Sequence, residues 1–288
     1  MSQTPRCVVM GYASLDFKYA TETFEGPGRT TLVRRPLHAS GARPGAVSYF
    51  ALGLTGNGVA VDVVSWVGAD ENGALFVDHH SRAGVGIDGV SATGSRSPAA
   101  HMYWPADGEP VVFFDPGDVD QRLTPQQQQL LAAAPAVIIG VGPEPATAAA
   151  LTAIPDDALV LWAVKCDPRS VPPKLAVALA ARADVICHSE AETDFLQQSC
   201  GLDLDALVAD GTLLVETRGA RGAALRRGQE EIVVAASAPI ATEDTTGAGD
   251  TFAAGLMARL LHRTDPEAAV RAACADAHAL LRSRTNEG

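Results

Sequence analysis

Short apolar runs alternate along most of the chain with stretches of helical period. Cys7–Gly11, Val59–Val67, Ala136–Val141, Ala158–Val164, Asp184–Cys187 and Thr212–Thr217 have the length and composition of buried strands. Between them, Val47–Leu54, Glu71–Ala83, Pro125–Ala134, Ala146–Ile154, Lys174–Arg182 and Glu190–Ser199 have helix length and helix-forming residues. Thr124 and Pro125 supply a cap and a first-turn proline. Strands alternating with helices predict right-handed βαβ units, hence an α/β fold with a mainly parallel central sheet covered on both faces. Sites in such sheets gather at the carboxyl ends of the strands.

Two regions break the alternation. Asp16–Arg35 and Pro98–Asp115 read as extended segments with turns at Gly26-Pro27-Gly28 and Ala106-Asp107-Gly108, and neither leads into a helix of its own. They pair either into a small sheet standing off the main body, able to act as a lid, or into two edge hairpins. A third hairpin is predicted from Ala223–Arg227, a turn at Gly228 and Glu231–Ala236. Asp244–Leu261 follows, then a last helix from Pro266 to Arg282, capped by Asp265.

With 288 residues, the chain fits one large α/β domain over 1–288. A net charge of −12 argues against a nucleic-acid partner, which needs a basic face. The five cysteines are scattered and form no C-x-x-C pair, which points to reduced thiols in a cytoplasm. His79-His80 and Cys187-His188 lack a second ligand pair at zinc-site spacing. Cys7–Met10 is shorter than the roughly 7–15 apolar residues of a signal peptide. No run approaches the roughly 18 residues of a membrane span, so no membrane partner is expected.

Chemistry concentrates in Asp244-Thr245-Thr246-Gly247-Ala248-Gly249-Asp250-Thr251-Phe252, which opens a helix. Gly247 and Gly249 permit a tight turn, and free N–H groups of Gly247, Ala248 and Gly249 would hold a developing negative charge. Asp250, in the same turn, is placed to take a proton from an attacking hydroxyl. The plainer reading is a helix start with Thr246 as cap and Asp250 favouring the dipole. Gly84–Gly89 matches G-x-G-x-x-G, but it follows a helix and precedes an extended segment, the reverse of a dinucleotide site. No G-x-x-x-x-G-K-[ST] occurs.

The whole nine-residue string closely resembles the C-terminal signature of the ribokinase-like (PfkB-type) carbohydrate kinases. Other segments agree: Val67–Gly73 is similar to the family's Val-Gly-x-Asp-x-x-Gly turn, Ala83–Asp88 to its AGV-x-x-D segment, and Thr217–Gly222 to its nucleotide-contacting Thr-x-Gly-x-x-Gly element. The resemblance implies a three-layer sandwich with a small β-sheet lid over about 12–38 and 96–115, paired between subunits as a homodimer. It implies an enzyme that moves phosphoryl from ATP, with Mg²⁺ and a monovalent cation as further candidate cofactors, to a hydroxyl of a sugar or sugar-like molecule. Asp250 would be the base, and Gly247, Ala248 and Gly249 the anion hole. Asp16 and Gly41 would face the acceptor; Thr217, Gly219, Gly222 and Thr246 the nucleotide; Glu192 the metal.

The chain also departs from the family. Its only asparagines are Asn57, Asn72 and Asn286. The Asn-x-x-Glu position reads Ser189-Glu190-Ala191-Glu192, and the Gly-Gly-x-x-x-Asn region reads Ser40-Gly41-Ala42-Arg43-Pro44-Gly45-Ala46-Val47. Positive charge is a candidate replacement on the acceptor side. Lys18, two residues past Asp16, shares its face in an extended strand, and Arg43 has entered the altered loop. Arg29, Arg34, Arg35, Arg43 and Arg96 lie on or near the lid segments, where solvated edge charges are the bland alternative. Lys165, at the end of a candidate strand, is expected near the site rim, with both the substrate-gripping and the solvated-charge reading open for it. Two other readings stay open: a nucleoside kinase, which an aromatic pocket of Phe17, Tyr103 and Trp104 would favour, and a sensor that kept the fold and lost turnover.

Overall fold

Strands apolar on both sides need cover on both faces, and the fold supplies it. The computed structural model describes residues 4–37, 41–106, 109–236, 238, 240, 242 and 244–285. Its strands are β1 (Arg6–Met10), β2 (Leu15–Thr21), β3 (Val33–Pro36), β4 (Ala42–Pro44), β5 (Ala60–Val67), β6 (Val90–Ala92), β7 (Ala99–Trp104), β8 (Val111–Asp115), β9 (Ala136–Ile139), β10 (Leu159–Ala163), β11 (Val185–Ser189), β12 (Leu213–Thr217), β13 (Ala223–Arg227) and β14 (Glu230–Val234). Its helices are α1 (Val47–Gly56), α2 (Glu71–Arg82), α3 (Pro125–Ala132), α4 (Glu144–Ala153), α5 (Pro173–Arg182), α6 (Leu204–Ala209), α7 (Ala248–Leu261) and α8 (Pro266–Thr285).

Among the described residues, nine strands form one sheet in the order β14-β13-β12-β11-β10-β9-β1-β5-β6. From β12 to β6 every pairing is parallel; β13 and β14 add an antiparallel edge. Side chains alternate between the two faces with the strand period. Val9, Val63, Ile138, Leu161 and Cys187 point into a core shared with α1, α2, α7 and α8. Met10, Val64, Ile139, Trp162 and Ile186 point into a second core under α3 to α6. Burial on both faces is what makes these strands read as continuous apolar runs.

The two extended regions form a single small sheet rather than separate hairpins. Its order is β3-β2-β7-β8, with β4 also on β2. β2 and β7 run parallel, with Asp16 opposite Ala100 and Lys18 opposite Met102, while β4 sets Arg43 opposite Asp16. Asp70 ties this sheet to the main body. It caps α2 by accepting from Gly73 N (2.8 Å) and accepts from Ser97 N (2.9 Å) and Ser97 Oγ (2.5 Å), just before β7. His38, Ser40, Asp107, Gly108 and Asn286, which fall in the segments singled out above, lie outside the described residues.

Three local features differ from expectation. Glu190–Ser199 is not a regular helix: a tight turn, Glu190–Glu192, runs into a wide π turn, Phe195–Ser199. Cys200 N donates to Phe195 O, five residues back, so buried Phe195 and Cys200 lie on one face. α6 was not predicted; at six residues it is too short for a periodic signal, and Asp203 caps it from both Asp205 N and Ala206 N. The helix opened by the nine-residue string begins at Ala248, with Gly247 rather than Thr246 at the cap position.

Candidate active site

The turn leading into α7 is held open by glycine. Gly247 has φ of 76°, and a Cβ there would lie 2.5 Å from the Tyr49 ring. Any side chain would therefore be strained twice, by backbone and by contact. Gly249 would meet nothing within 4 Å, so its approach is clear. Ala248 N donates to Thr245 O at 3.2 Å and Thr251 N to Gly247 O at 2.8 Å, which closes the turn. The amides of Gly247, Gly249 and Asp250 have no backbone acceptor among the described residues. They form a set of donors at a helix N-terminus, suited to an anion.

Asp250 stands in the first turn of α7 beside them. Burial pushes its carboxyl up to about 6; Lys165 opposes this, and the carboxylates of Glu192 and Asp16 add to it. These three groups thus share one space with Asp250, at the carboxyl ends of β10 and β11 and on β2, as strand topology requires of an α/β site.

Beyond Asp250 lies a buried charge network. Asp16 is 1% exposed; its Oδ1 accepts from Ser14 Oγ (3.1 Å), and its Oδ2 has no hydrogen-bond partner among the described residues. Burial pushes this carboxyl up to about 6 against the pull of Lys18. A Cβ on Gly45 would fall 2.2 Å from Asp16 Oδ1, so only glycine admits the carboxylate at this place. The next residue, Ala46, holds φ of 45° at the start of α1, a conformation that costs of order 1–3 kcal/mol. Strain of this kind beside a buried carboxylate is common where a loop has been shaped around a ligand.

Lys18 is also 1% exposed. Its Nζ donates to Asp244 Oδ2 (3.1 Å) and Tyr49 Oη (3.3 Å) and lies 3.8 Å from Asp16 Oδ2. Burial pulls its ammonium down, and Asp244 and Asp16 resist. From α8, Arg284 donates to Asp244 O (2.8 Å), Thr246 O (2.6 Å) and Tyr49 Oη (3.2 Å). Burial pushes the Asp244 carboxyl up, but Lys18 and Arg284 outweigh it and hold it below the usual carboxylate range. Thr246 Oγ1 touches Met102 Sδ at 3.9 Å, so the inner face of the small sheet rests on the α7 turn.

On the other side, Glu192 Oε2 accepts from Ser189 N (2.8 Å) and Ser189 Oγ (2.9 Å). Thr217 sits opposite Ser189 on β12, and its Oγ1 donates to His188 O (3.4 Å). Gly219 and Gly222, both with positive φ, close the next turn, where Arg218 N donates to Gly222 O at 2.7 Å.

A sequence profile described as pfkB family carbohydrate kinase matches residues 4–285. The chain belongs to that family. It is 28% identical over 241 residues to fructokinase-2 of Solanum habrochaites, covering 75% of this chain and 72% of the relative. In fold it is similar to the nucleoside kinase of Methanocaldococcus jannaschii, a member of the ribokinase family, with a TM-score of 0.82 and 16% identity over 98% of this chain and 93% of that one. It is likewise similar to Arabidopsis thaliana ribokinase complexed with ribose and ATP, with a TM-score of 0.78 and 20% identity over 97% and 93% of the two chains. The fold of this PfkB-family protein is therefore the ribokinase fold, with its large mainly parallel sheet and separate small one.

The structure brings Asp16, Lys18, Thr246, Gly247, Ala248, Gly249 and Asp250 close together, with Glu192 within electrostatic reach of Asp250. Arg43 shares the Asp16 face across β4 and β2, while Gly41 is an open turn position just before β4, with φ of 80°. The aromatic pocket of Phe17, Tyr103 and Trp104 does not assemble. Alternation puts Phe17 and Tyr103 on the face away from Asp16, where Phe17 stacks on His101 (4.9 Å) and Tyr103 on Tyr19 (5.4 Å). Trp104, opposite Ala20, shares the Asp16 face. Sequence reasoning left Tyr49, Asp244 and Arg284 without a role. Asp244 opens the signature and was there to be asked about; Arg284 belongs to no motif. Two surface cavities, of about 500 Å³ beside β13, β14 and the start of α8 and about 490 Å³ beside α5, lie elsewhere.

Proposed function

We propose that this protein transfers the γ-phosphoryl group of MgATP to a hydroxyl of a sugar or sugar-like small molecule. The observation that supports it best is the pairing of Asp250, its carboxyl raised to about 6, with the open amides of the same turn. A base near 6 is ionised at neutral pH yet still takes a proton readily. Asp250 accepts the proton of the acceptor hydroxyl as its oxygen attacks the γ-phosphorus, and ADP leaves. The Gly247, Gly249 and Asp250 amides stabilise the charge on the transferring group, while that of Ala248, expected to join them, is taken by Thr245 O.

The acceptor lies against Asp16, whose Oδ2, without a hydrogen-bond donor among the described residues, takes its hydroxyl hydrogens, with Arg43 and Gly41 at the rim. The nucleotide lies along Thr217, Gly219, Gly222 and Thr246. No group of three or more His, Cys, Asp or Glu side chains able to hold a metal occurs among the described residues. That suits Mg²⁺, which takes one or two carboxylates and otherwise uses water and phosphate oxygens. Glu192 would hold it through Oε1, since Oε2 is committed to Ser189. When bound, Mg²⁺ neutralises charge on the phosphate oxygens.

The small sheet acts as the lid over the acceptor and excludes water from the transfer. A second copy of the chain pairs through its edges, where Val33 (50%), Val112 (51%) and Phe113 (60%) are exposed. Sedimentation of the full chain is expected to show a dimer; a monomer at all concentrations would remove this arrangement. No helix among the described residues is long and apolar enough to cross a membrane.

ADP release from MgATP across a panel of sugars, sugar acids, phosphosugars and nucleosides tests the reading. One sugar-like acceptor driving release is expected. A nucleoside acceptor would move the assignment to the second reading, which the likeness to the M. jannaschii nucleoside kinase favours. Binding of ATP or a panel compound without any release would identify a sensor.

A further inference from the structure

The resemblance carries a monovalent cation among its candidate cofactors, and a cation bracing the α7 turn would need oxygens beside that turn. The structure has them already converged on a different cation. The Arg284 guanidinium, its side chain 9% exposed, lies 2.8 Å from Asp244 O, 2.6 Å from Thr246 O, 3.2 Å from Tyr49 Oη and 3.4 Å from Asp244 Oδ1. Its Cζ also sits 5.8 Å from the Tyr49 ring centroid. Two main-chain carbonyls and one carboxylate oxygen are the ligand set that a desolvated monovalent ion takes up. Here they are satisfied by the planar, permanently charged fork of an arginine.

We infer that Arg284 is a positioning residue that serves as a built-in cation for the Asp244–Gly247 turn and makes the site independent of added monovalent ions. The inference rests on the phosphoryl-transfer reading of that turn. Three physical points carry it. Arg284 stands in the last turn of α8, where the helix C-terminus favours a positive charge. It bonds the carbonyls on both sides of Thr245, and so fixes the backbone just before the Gly247 donor. With Lys18 3.1 Å from Asp244 Oδ2, the carboxylate already has a cation on each oxygen, and a third would enter against like charge.

The test compares KCl with tetramethylammonium chloride at equal ionic strength, using the full chain. Thermal midpoint and the affinity for the magnesium complex of a non-hydrolysable ATP analogue are both read. For the wild-type protein, the affinity is expected to agree within about twofold between the two salts and the midpoint not to shift. Arg284→Met is expected to weaken analogue binding by about tenfold or more, the loss of charge-assisted bonds. Millimolar guanidinium or K⁺ is expected to restore part of the variant's midpoint and affinity. Arg284→Lys, which keeps the charge, provides a folded intermediate should Arg284→Met prove too unstable. A saturable gain in wild-type midpoint or affinity with K⁺ would overturn the inference, and so would an Arg284→Met protein matching wild type in both readouts. If the wild type binds no nucleotide analogue in either salt, the kinase reading fails, while the midpoints still decide the cation question.

Discussion

Replacing Asp250 with Asn is expected to lower turnover by about 10²–10⁴-fold, the usual contribution of a positioned base, while leaving affinity for the MgATP analogue close to wild type. Asn has the shape of Asp but cannot accept the proton in the ionised sense, and the Gly247 and Gly249 amides stay in place. The pH profile separates this from a general disturbance. Burial pushes both Asp250 and Asp16 up to about 6. A base acts only when ionised, so kcat/KM should be level above this value and fall below it. With two such carboxyls the limb steepens from tenfold toward a hundredfold per pH unit, and the two apparent values belong to the pair. In Asp250→Asn the residual activity should return to the single-proton limb of Asp16. Turnover within a few-fold of wild type would remove Asp250 as the base.

The same shifts act on stability with the opposite sign from a salt-bridged carboxylate. In both groups the folded value lies above the ordinary 3.8, so the folded state holds these protons more tightly than the unfolded chain. Ionising them costs stability as pH rises from about 4 to about 6. Asp250→Asn removes one of these costs, and its thermal midpoint at pH 7 is expected to rise above wild type. Loss of activity with a gain of stability is the pattern of a residue kept for chemistry.

The parallel core was legible because strands buried on both faces leave uninterrupted apolar runs, as at Val59–Val67 and Ala136–Val141. The α7 turn was legible because its glycines and Asp250 are neighbours in sequence. Lys18 was half legible. Strand alternation placed it on the Asp16 face, but its partner Asp244 lies 226 residues away and no local pattern links them. Arg284 was invisible for the same reason: it reaches Thr246 from 38 residues further on, out of a polar helix end like many others. The aromatic residues are the converse case. A pocket of Phe17, Tyr103 and Trp104, which would have favoured a nucleoside, needed all three on one face, and the period of two divides them between faces.

Lys18→Met should test the buried network most severely. The side chain is fully enclosed and nearly the same length, so the change removes charge with little loss of volume. What remains is Asp16 with Ser14 as its hydrogen-bond donor, and Asp244 with Arg284 and the Thr246 amide among its partners. Removing one partner of a buried ion pair typically costs about 3–5 kcal/mol, because the other charge stays buried without compensation. Urea unfolding at pH 8 is expected to show a loss of this size. The deficit should shrink toward pH 5, because a stranded carboxylate escapes its cost by taking a proton and Asp16 is already poised to do so. Asp244→Asn in the same chain should recover part of the loss, since it removes the anion that Lys18 was holding. A Lys18→Met protein as stable as wild type at pH 8 would mean that water reaches Asp16 and Asp244, and that the acceptor side is open where the structure has it closed. If the deficit appears and follows pH as described, Lys18 is the link through which a proton gained or lost at Asp16, on the acceptor side, is felt at Asp244 and hence at the turn that receives the phosphoryl group.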